Sequence, residues 1–154
     1  MGAVPPREFR EALSLWASGV TVVAVREEGR VYATTVTSFL SVSSEPPRIL
    51  VSLGPGAQPV PFLRPGAKFV VNLLEAGQGR LASVFADPFP VGPTPFPAEG
   101  DPWLPGALAC LLCATEQVIP LGGIHLVLGL VEDARFDTEG RPLLRFRRSY
   151  LGLP

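Results

Sequence analysis

The alternation of apolar and polar positions divides the chain into short segments, most of them strands. From Pro6 to Ser18, Phe9, Ala12, Leu13 and Trp16 recur at three- and four-residue spacing, which places them on one face of a helix. Pro6 suits its first turn and Gly19 marks its stop. Val20 to Val25 is short, β-branched and apolar, the signature of a strand. Glu27, Glu28 and Gly29 make a tight turn into a second strand, Val31 to Thr37, completing a hairpin. Pro46 and Pro47 lack the donor that a sheet ladder needs. Glu45 to Arg48 is therefore expected to be a connection into a third strand, Ile49 to Leu53.

The next stretch, GPGAQPVPFL, is too rich in glycine and proline for a strand, but its end suits one helical turn. Lys68 to Leu73 reads as a fourth strand. Gln78 to Phe85 reads as a short helix with Leu81, Val84 and Phe85 on its apolar side. Asp87 to Pro105 is proline-rich and longer than the usual connection, and it suits either a functional loop or a structural wrap. Leu108 to Ile119 and Ile124 to Phe136 form a second hairpin around Pro120 to Gly123. Leu143 to Tyr150 offers one short strand and an exposed basic tail. Strands joined mostly by hairpins argue against a doubly wound sheet. They predict a mainly β fold, an antiparallel barrel with a few short surface helices. No repeat or boundary is visible, so one domain over residues 1–154 is expected.

Charge and cysteine content narrow the function classes. The 13 basic and 14 acidic side chains give a formal charge of -1, which speaks against broad attraction to nucleic acid or anionic membrane. Apolar runs are all broken well short of the roughly 18 residues of a membrane span. The N-terminal MGAVPPREFREAL lacks the apolar run of a signal peptide, and a soluble protein of the cytoplasm is expected. Cys110 and Cys113 cannot build a disulfide framework. Their CxxC spacing lies within a strand, where residues three apart face opposite sides. Buried structural cysteines are therefore favoured over a metal or redox pair. His125 is the only histidine, so neither a zinc site nor a Ser-His-Asp arrangement is supported. By itself, His125 is open to two readings, a hydrogen-bonded residue at a strand start or a ligand contact. Arginine outnumbers lysine 12 to 1 and asparagine occurs once, at Asn72. That composition fits a heat-resistant protein and a GC-rich genome equally well.

The most informative stretch is Thr34 to Ser44, TTVTSFLSVSS, with seven hydroxyl residues in eleven positions. β-Propensity explains threonine in a strand. It does not explain hydroxyls that continue into the following connection. Hydroxyls and freed backbone N–H groups together suit a planar polar edge or an anion, so a binding site is expected here.

Here a family resemblance emerges. GVTVVAV followed by GRVYATTVTSFLSVSSEPPRILVSL resembles the flavin reductase-like family, as do KFVVNLL, QGRLASVF, GALACLLC, IHLVLGLVEDAR and PLLRFRRSY. The pieces run in family order from about Phe9 to Tyr150. The resemblance implies a split β-barrel that binds FMN, a homodimer, and NADH or NADPH as electron donor. It also implies hydride transfer to FMN with no catalytic side chain, and reduced flavin supplied to a monooxygenase component. A protein that retains its FMN for electron transfer, or a noncatalytic binding module, is the alternative.

By resemblance, Thr35, Thr37 and Ser38 contact the flavin ring, joined by the backbone of Val36. Threonine at 37 stands where the family often has asparagine. The segment containing Ser52, Leu53, Gly54 and Gln58 corresponds to the approach to the ribityl phosphate. Its GPGAQP departs from the serine, threonine or basic residues common there, leaving backbone N–H groups and the Gln58 amide, with Arg80 as a nearby charge. His125 corresponds to a histidine near flavin and nicotinamide, although its usual acidic neighbour is Ile124 here. Tyr150 corresponds to an aromatic that closes over the nicotinamide. Arg147 and Arg148 either meet the donor's phosphates or form a solvated tail. Asp87 to Pro105 is a candidate arm across the dimer interface.

Overall fold

The computed structural model describes residues 2–153. Its elements are α1 (Pro6–Leu13), β1 (Ser18–Gly19), β2 (Thr21–Glu27), β3 (Arg30–Val36), β4 (Phe39–Ser44) and β5 (Pro47–Leu53). A 3-10 turn (Val60–Phe62), β6 (Lys68–Leu73), α2 (Gly79–Ala86), β7 (Ala109–Leu121), β8 (Ile124–Phe136), β9 (Leu143–Phe146) and β10 (Ser149–Gly152) follow. Seven strands pair in the order β3-β2-β6-β7-β8-β5-β4, and β1-β9-β10 make a small second sheet. Every pairing is antiparallel.

The first five residues of β2 are all buried, because its two faces meet two different apolar layers. Val23 and Val25 join Val36, Val51, Phe69 and Val127 in one layer. Those residues come from β2, β3, β5, β6 and β8, so the sheet curls around a shared interior to form a barrel. Val22 and Ala24 face the opposite way. They join Ala33, Leu74, Phe85 and Leu143 beneath α2. The barrel wall is tight at Gly129. A Cβ there would stand 2.7 Å from Phe69 Cζ and 3.0 Å from Cys113 Cβ.

The barrel is not sealed by a ladder between its edge strands. The chain leaves β3, passes through Thr37 and Ser38, and enters β4 on the far edge. One backbone bond ties this crossing to the end of β5, from Ser52 N–H to Ser38 C=O at 3.1 Å. The Thr21 hydroxyl donates to Val36 C=O at 2.7 Å and fixes the start of the crossing.

Several expected elements differ. Strand β4 replaces the expected connection, because its hydroxyl residues ladder against β5 in a hairpin. Strand β5 accordingly starts at Pro47 and not Ile49. Proline is tolerated at a strand's first residue. Helix α1 ends at Leu13 and buries none of its residues, so its apolar stripe has no cover within the chain. The C-terminal segment is a β9–β10 hairpin, with Arg147 and Arg148 at its turn.

The second half of the proline-rich loop is pinned to its own barrel, while Phe89 and Val91 in its first half stay exposed. Arg26 donates to the carbonyls of Pro97, Ala98 and Gly100. The fully buried Asn72 amide donates to Val22 and Pro102 carbonyls and accepts from Leu104 N–H at 2.9 Å. Phe96 and Leu104 are buried in the layer under α2. The cysteines separate as expected. Cys113 lies in the barrel interior, whereas Cys110 lines a surface pocket with Trp103 and Arg135. Burial, with the Glu132 carboxylate adding to it, pushes the Cys113 thiol up to about 12.

Candidate flavin and donor site

Of the depressions along β3 and the crossing into β4, two hold most of the expected site residues. The larger is a cleft of about 850 Å³. Its lining includes Thr37, Ser38 and Ser52, and α1 supplies Phe9 and Leu13, with Trp16 from the turn after it. Arg10, Arg145, Arg147 and Arg148 also line it, and no carboxylate does. The smaller depression is about 290 Å³. It is formed by Thr34, Thr35, the loop from Gly54 to Gln58, and residues 86–88.

The hydroxyls along this edge differ in whether the protein already uses them. Thr21 and Thr115 donate to buried backbone carbonyls, and Thr35 donates to Ala82 C=O of α2 at 2.7 Å. The hydroxyls of Thr37, Ser38 and Ser52 make no side-chain hydrogen bond among the described residues, and all three open on the larger cleft. Strand direction explains the split. Thr35 shares a face with Ala33 and points at α2, whereas Thr37 lies beyond the end of β3, where the pleat no longer dictates its partner.

The other expected site residues fall in different places. Val36 and Leu53 bury their side chains in the barrel interior, leaving only backbone for a ligand. Gly54 and Gln58 line the smaller pocket, but the Gln58 amide is already used, donating to Pro88 C=O at 2.6 Å. His125 is paired with Leu53 across the β5–β8 ladder. Its Nδ1 is buried without a hydrogen-bond partner, as expected of a group awaiting a ligand or water. Tyr150 lines neither depression. Arg145 Cζ stands 5.1 Å from its ring centroid. Arg80 also stays outside the smaller pocket, whose one ionisable residue is Asp87.

Residues 13–154 match the family model described as flavin reductase like domain. The chain belongs to the flavin reductase-like family. The reductase component of 4-hydroxyphenylacetate 3-monooxygenase from Thermus thermophilus is 38% identical over 92% of this chain and 93% of its own length. An NADH:riboflavin 5'-phosphate oxidoreductase from Streptomyces pristinaespiralis is 36% identical over 96% of this chain and 88% of its own. Among solved structures, the styrene monooxygenase flavin reductase from Pseudomonas putida S12 superposes with a TM-score of 0.80 at 33% identity. That match covers 95% of this chain and 97% of the other. The split-barrel architecture of the flavin reductase-like family is thus the fold seen here.

Sequence reading missed the contributions of Arg10 from α1, of Ser14 and Trp16 from the turn after it, and of Arg145 and Asp87. Arg10 and Arg145 lie 135 positions apart, and the β1–β9 pairing and the Arg147 N–H to Ser14 C=O bond bring their segments together. Thr34 was counted among the hydroxyls, but nothing local distinguished it from its neighbours.

Proposed function

We propose that this chain is an NAD(P)H-dependent flavin reductase that takes FMN as an exchangeable substrate and delivers it reduced to a monooxygenase component. The observation that carries this reading is the set of unclaimed hydroxyls at Thr37, Ser38 and Ser52. Three donor–acceptor groups converge on one cleft edge. That edge fits the polar rim of a flavin. Bound flavin supplies the redox chemistry by accepting a hydride from the reduced nicotinamide.

The protein's own work is binding and orientation. Thr37 and Ser38, with the backbone at Val36, hold the ring edge. Their preset dipoles favour the added negative charge of the reduced ring. Ser52 is tied to Ser38 by the backbone bond across the split, so these hydroxyls hold fixed relative positions. The backbone N–H groups of Gly54 and Gly56 serve the ribityl phosphate. No side chain is assigned as nucleophile or general base.

The smaller pocket supports exchange over retention. It offers no cation to a phosphate, and Asp87 opposes one. Flavin therefore leaves readily, as a carrier between two proteins must. A cytoplasmic location follows from its pyridine nucleotide donor.

A homodimer completes the reading. Phe9 and Leu13 of α1, Trp16 just after it, and Leu40 and Val42 of β4 are large apolar groups left exposed, and a second copy set against their outer side would complete the cleft wall without filling the cleft. Light scattering should give twice 16.4 kDa. The function is tested by following NADH and NADPH oxidation with and without added FMN. Oxidation of at least one donor should require free FMN and follow saturation in both substrates. No FMN-dependent oxidation of either donor by folded protein would refute the assignment.

A further inference from the structure

We propose that Arg10, Arg145, Arg147 and Arg148 form the seat for the diphosphate of the nicotinamide donor, an inference that rests on the reductase reading above. Arg10 comes from α1, and the other three come from the β9–β10 hairpin. Arg147 N–H donates to Ser14 C=O at 2.8 Å, and Ser18 pairs with Arg145. The helix and the hairpin are thereby joined into one wall.

Four observations converge on an anion. The cleft holds these four guanidinium groups and no carboxylate. The ion pairs among the described residues lie elsewhere, at Arg7–Glu11, Arg48–Glu116 and Lys68–Glu132. Like charges gathered without partners repel one another, and an anionic ligand reverses that cost. Arg147 and Arg148 occupy left-handed backbone at φ of 50° and 64°. A two-residue turn of this kind ordinarily takes asparagine or glycine. Here it keeps two charged side chains despite backbone strain, a pattern typical of ligand clamps.

Aromatic rings orient two of the groups. Arg145 lies over Tyr150, and Arg147 Cζ stands 5.0 Å from the Phe146 centroid. A stacked guanidinium is held by its face and keeps its donors for an oxyanion. Tyr150 thus acts through Arg145. The hydroxyls and the arginine wall share one cleft, which matches a donor with a redox ring at one end and a diphosphate beyond it.

The test uses Arg148→Gly, which suits the left-handed turn, together with Arg10→Gln on the exposed face of α1. With FMN saturating, the KM for NADH should rise about tenfold in the double variant, with kcat changed far less. Raising NaCl from low to near-physiological levels and above should raise the wild-type KM much more than the variant's. The donor 1-benzyl-1,4-dihydronicotinamide carries no phosphate, and its kcat/KM should be the same in both proteins. FMN affinity and the light-scattering mass should also be unchanged. An unaltered NADH KM in a wild-type-like fold would overturn the proposal. Equal losses with both donors, or dissociation to monomer, would do so as well. Failure of the wild type to oxidise either donor would refute the reductase reading itself.

Discussion

At one end of the site four guanidinium groups line a cleft with no carboxylate, and at the other a glycine-containing loop faces Asp87 with no cation. The two depressions lie along one stretch of chain, Thr34 to Ser38, yet their charged linings are opposite. Charge is concentrated where a donor would be selected and withheld where a flavin phosphate would be gripped. For a carrier this division is useful. The donor must be captured from dilute solution, and the reduced flavin must not be trapped. The contrast also explains how a GPGAQP segment without basic residues is compatible with activity.

The largest effect should come from unpinning the second half of the proline-rich loop, which lies outside both depressions. Asn72→Ala removes three hydrogen bonds and leaves buried backbone groups at Val22, Pro102 and Leu104 unpaired. Chemical denaturation should show a loss of about 2–4 kcal/mol. Limited proteolysis should cut first between residues 97 and 105. If the loop stays resistant, Asn72 is not what pins it.

Next is Thr37→Val, which keeps the shape and deletes the unclaimed hydroxyl. Losing one ligand hydrogen bond costs about 1–3 kcal/mol, or roughly 5- to 150-fold in affinity. Titration calorimetry should show weaker FMN binding with the apo melting temperature little changed. Equal FMN affinity in Thr37→Val and Ser38→Ala would remove these side chains from the site.

A smaller change is expected from Asp87→Asn. The amide oxygen can still accept the turn bond from Phe89 N–H, now made at 2.8 Å. Removing one exposed charge should tighten FMN about two- to fivefold and leave riboflavin unaffected. Equal gains for both ligands would mean that Asp87 does not face the phosphate.

The smallest effect lies outside both ends. Cys113, held near 12 chiefly by burial, keeps its proton in the native state well above the ordinary thiol range. The unfolded thiol ionises at about 9. The contribution of Cys113 to stability is therefore complete at neutral pH and falls as pH climbs from about 9 towards 12. Iodoacetamide at pH 8 should label it only as fast as the protein unfolds. Fast labelling without unfolding would refute its protected state.

Much of the fold was legible because apolar, β-branched runs announce interior strands. Strands β6 and β8 matched their expected limits, and β2 and β7 departed by only a few residues. Strands β4 and β10 were illegible because hydroxyl- and arginine-rich edge segments become strands only through their partners. Helix α1 carried a correct apolar period, but its exposure depends on what lies outside the chain. The polar edge at Thr37 and Ser38 was visible as a surplus of hydroxyls. Which of those hydroxyls remain unclaimed depends on Thr21, α2 and strand direction, and so required the three-dimensional fold. Asn72 stood out as the only asparagine, although its role required knowing where Leu104 lies.

The two tryptophans lie in separate regions, one on the larger cleft and one outside both depressions. Trp16 is 73% exposed on the cleft wall, whereas half-buried Trp103 lies on the pinned loop with Arg135 Cζ 4.0 Å from its ring centroid. The molecule therefore carries two intrinsic fluorophores that report on separate events. With Trp103→Phe, the remaining emission follows occupancy of the cleft. With Trp16→Phe, it follows docking of the loop, so ligand capture and loop movement can be timed independently in one stopped-flow experiment without an added dye.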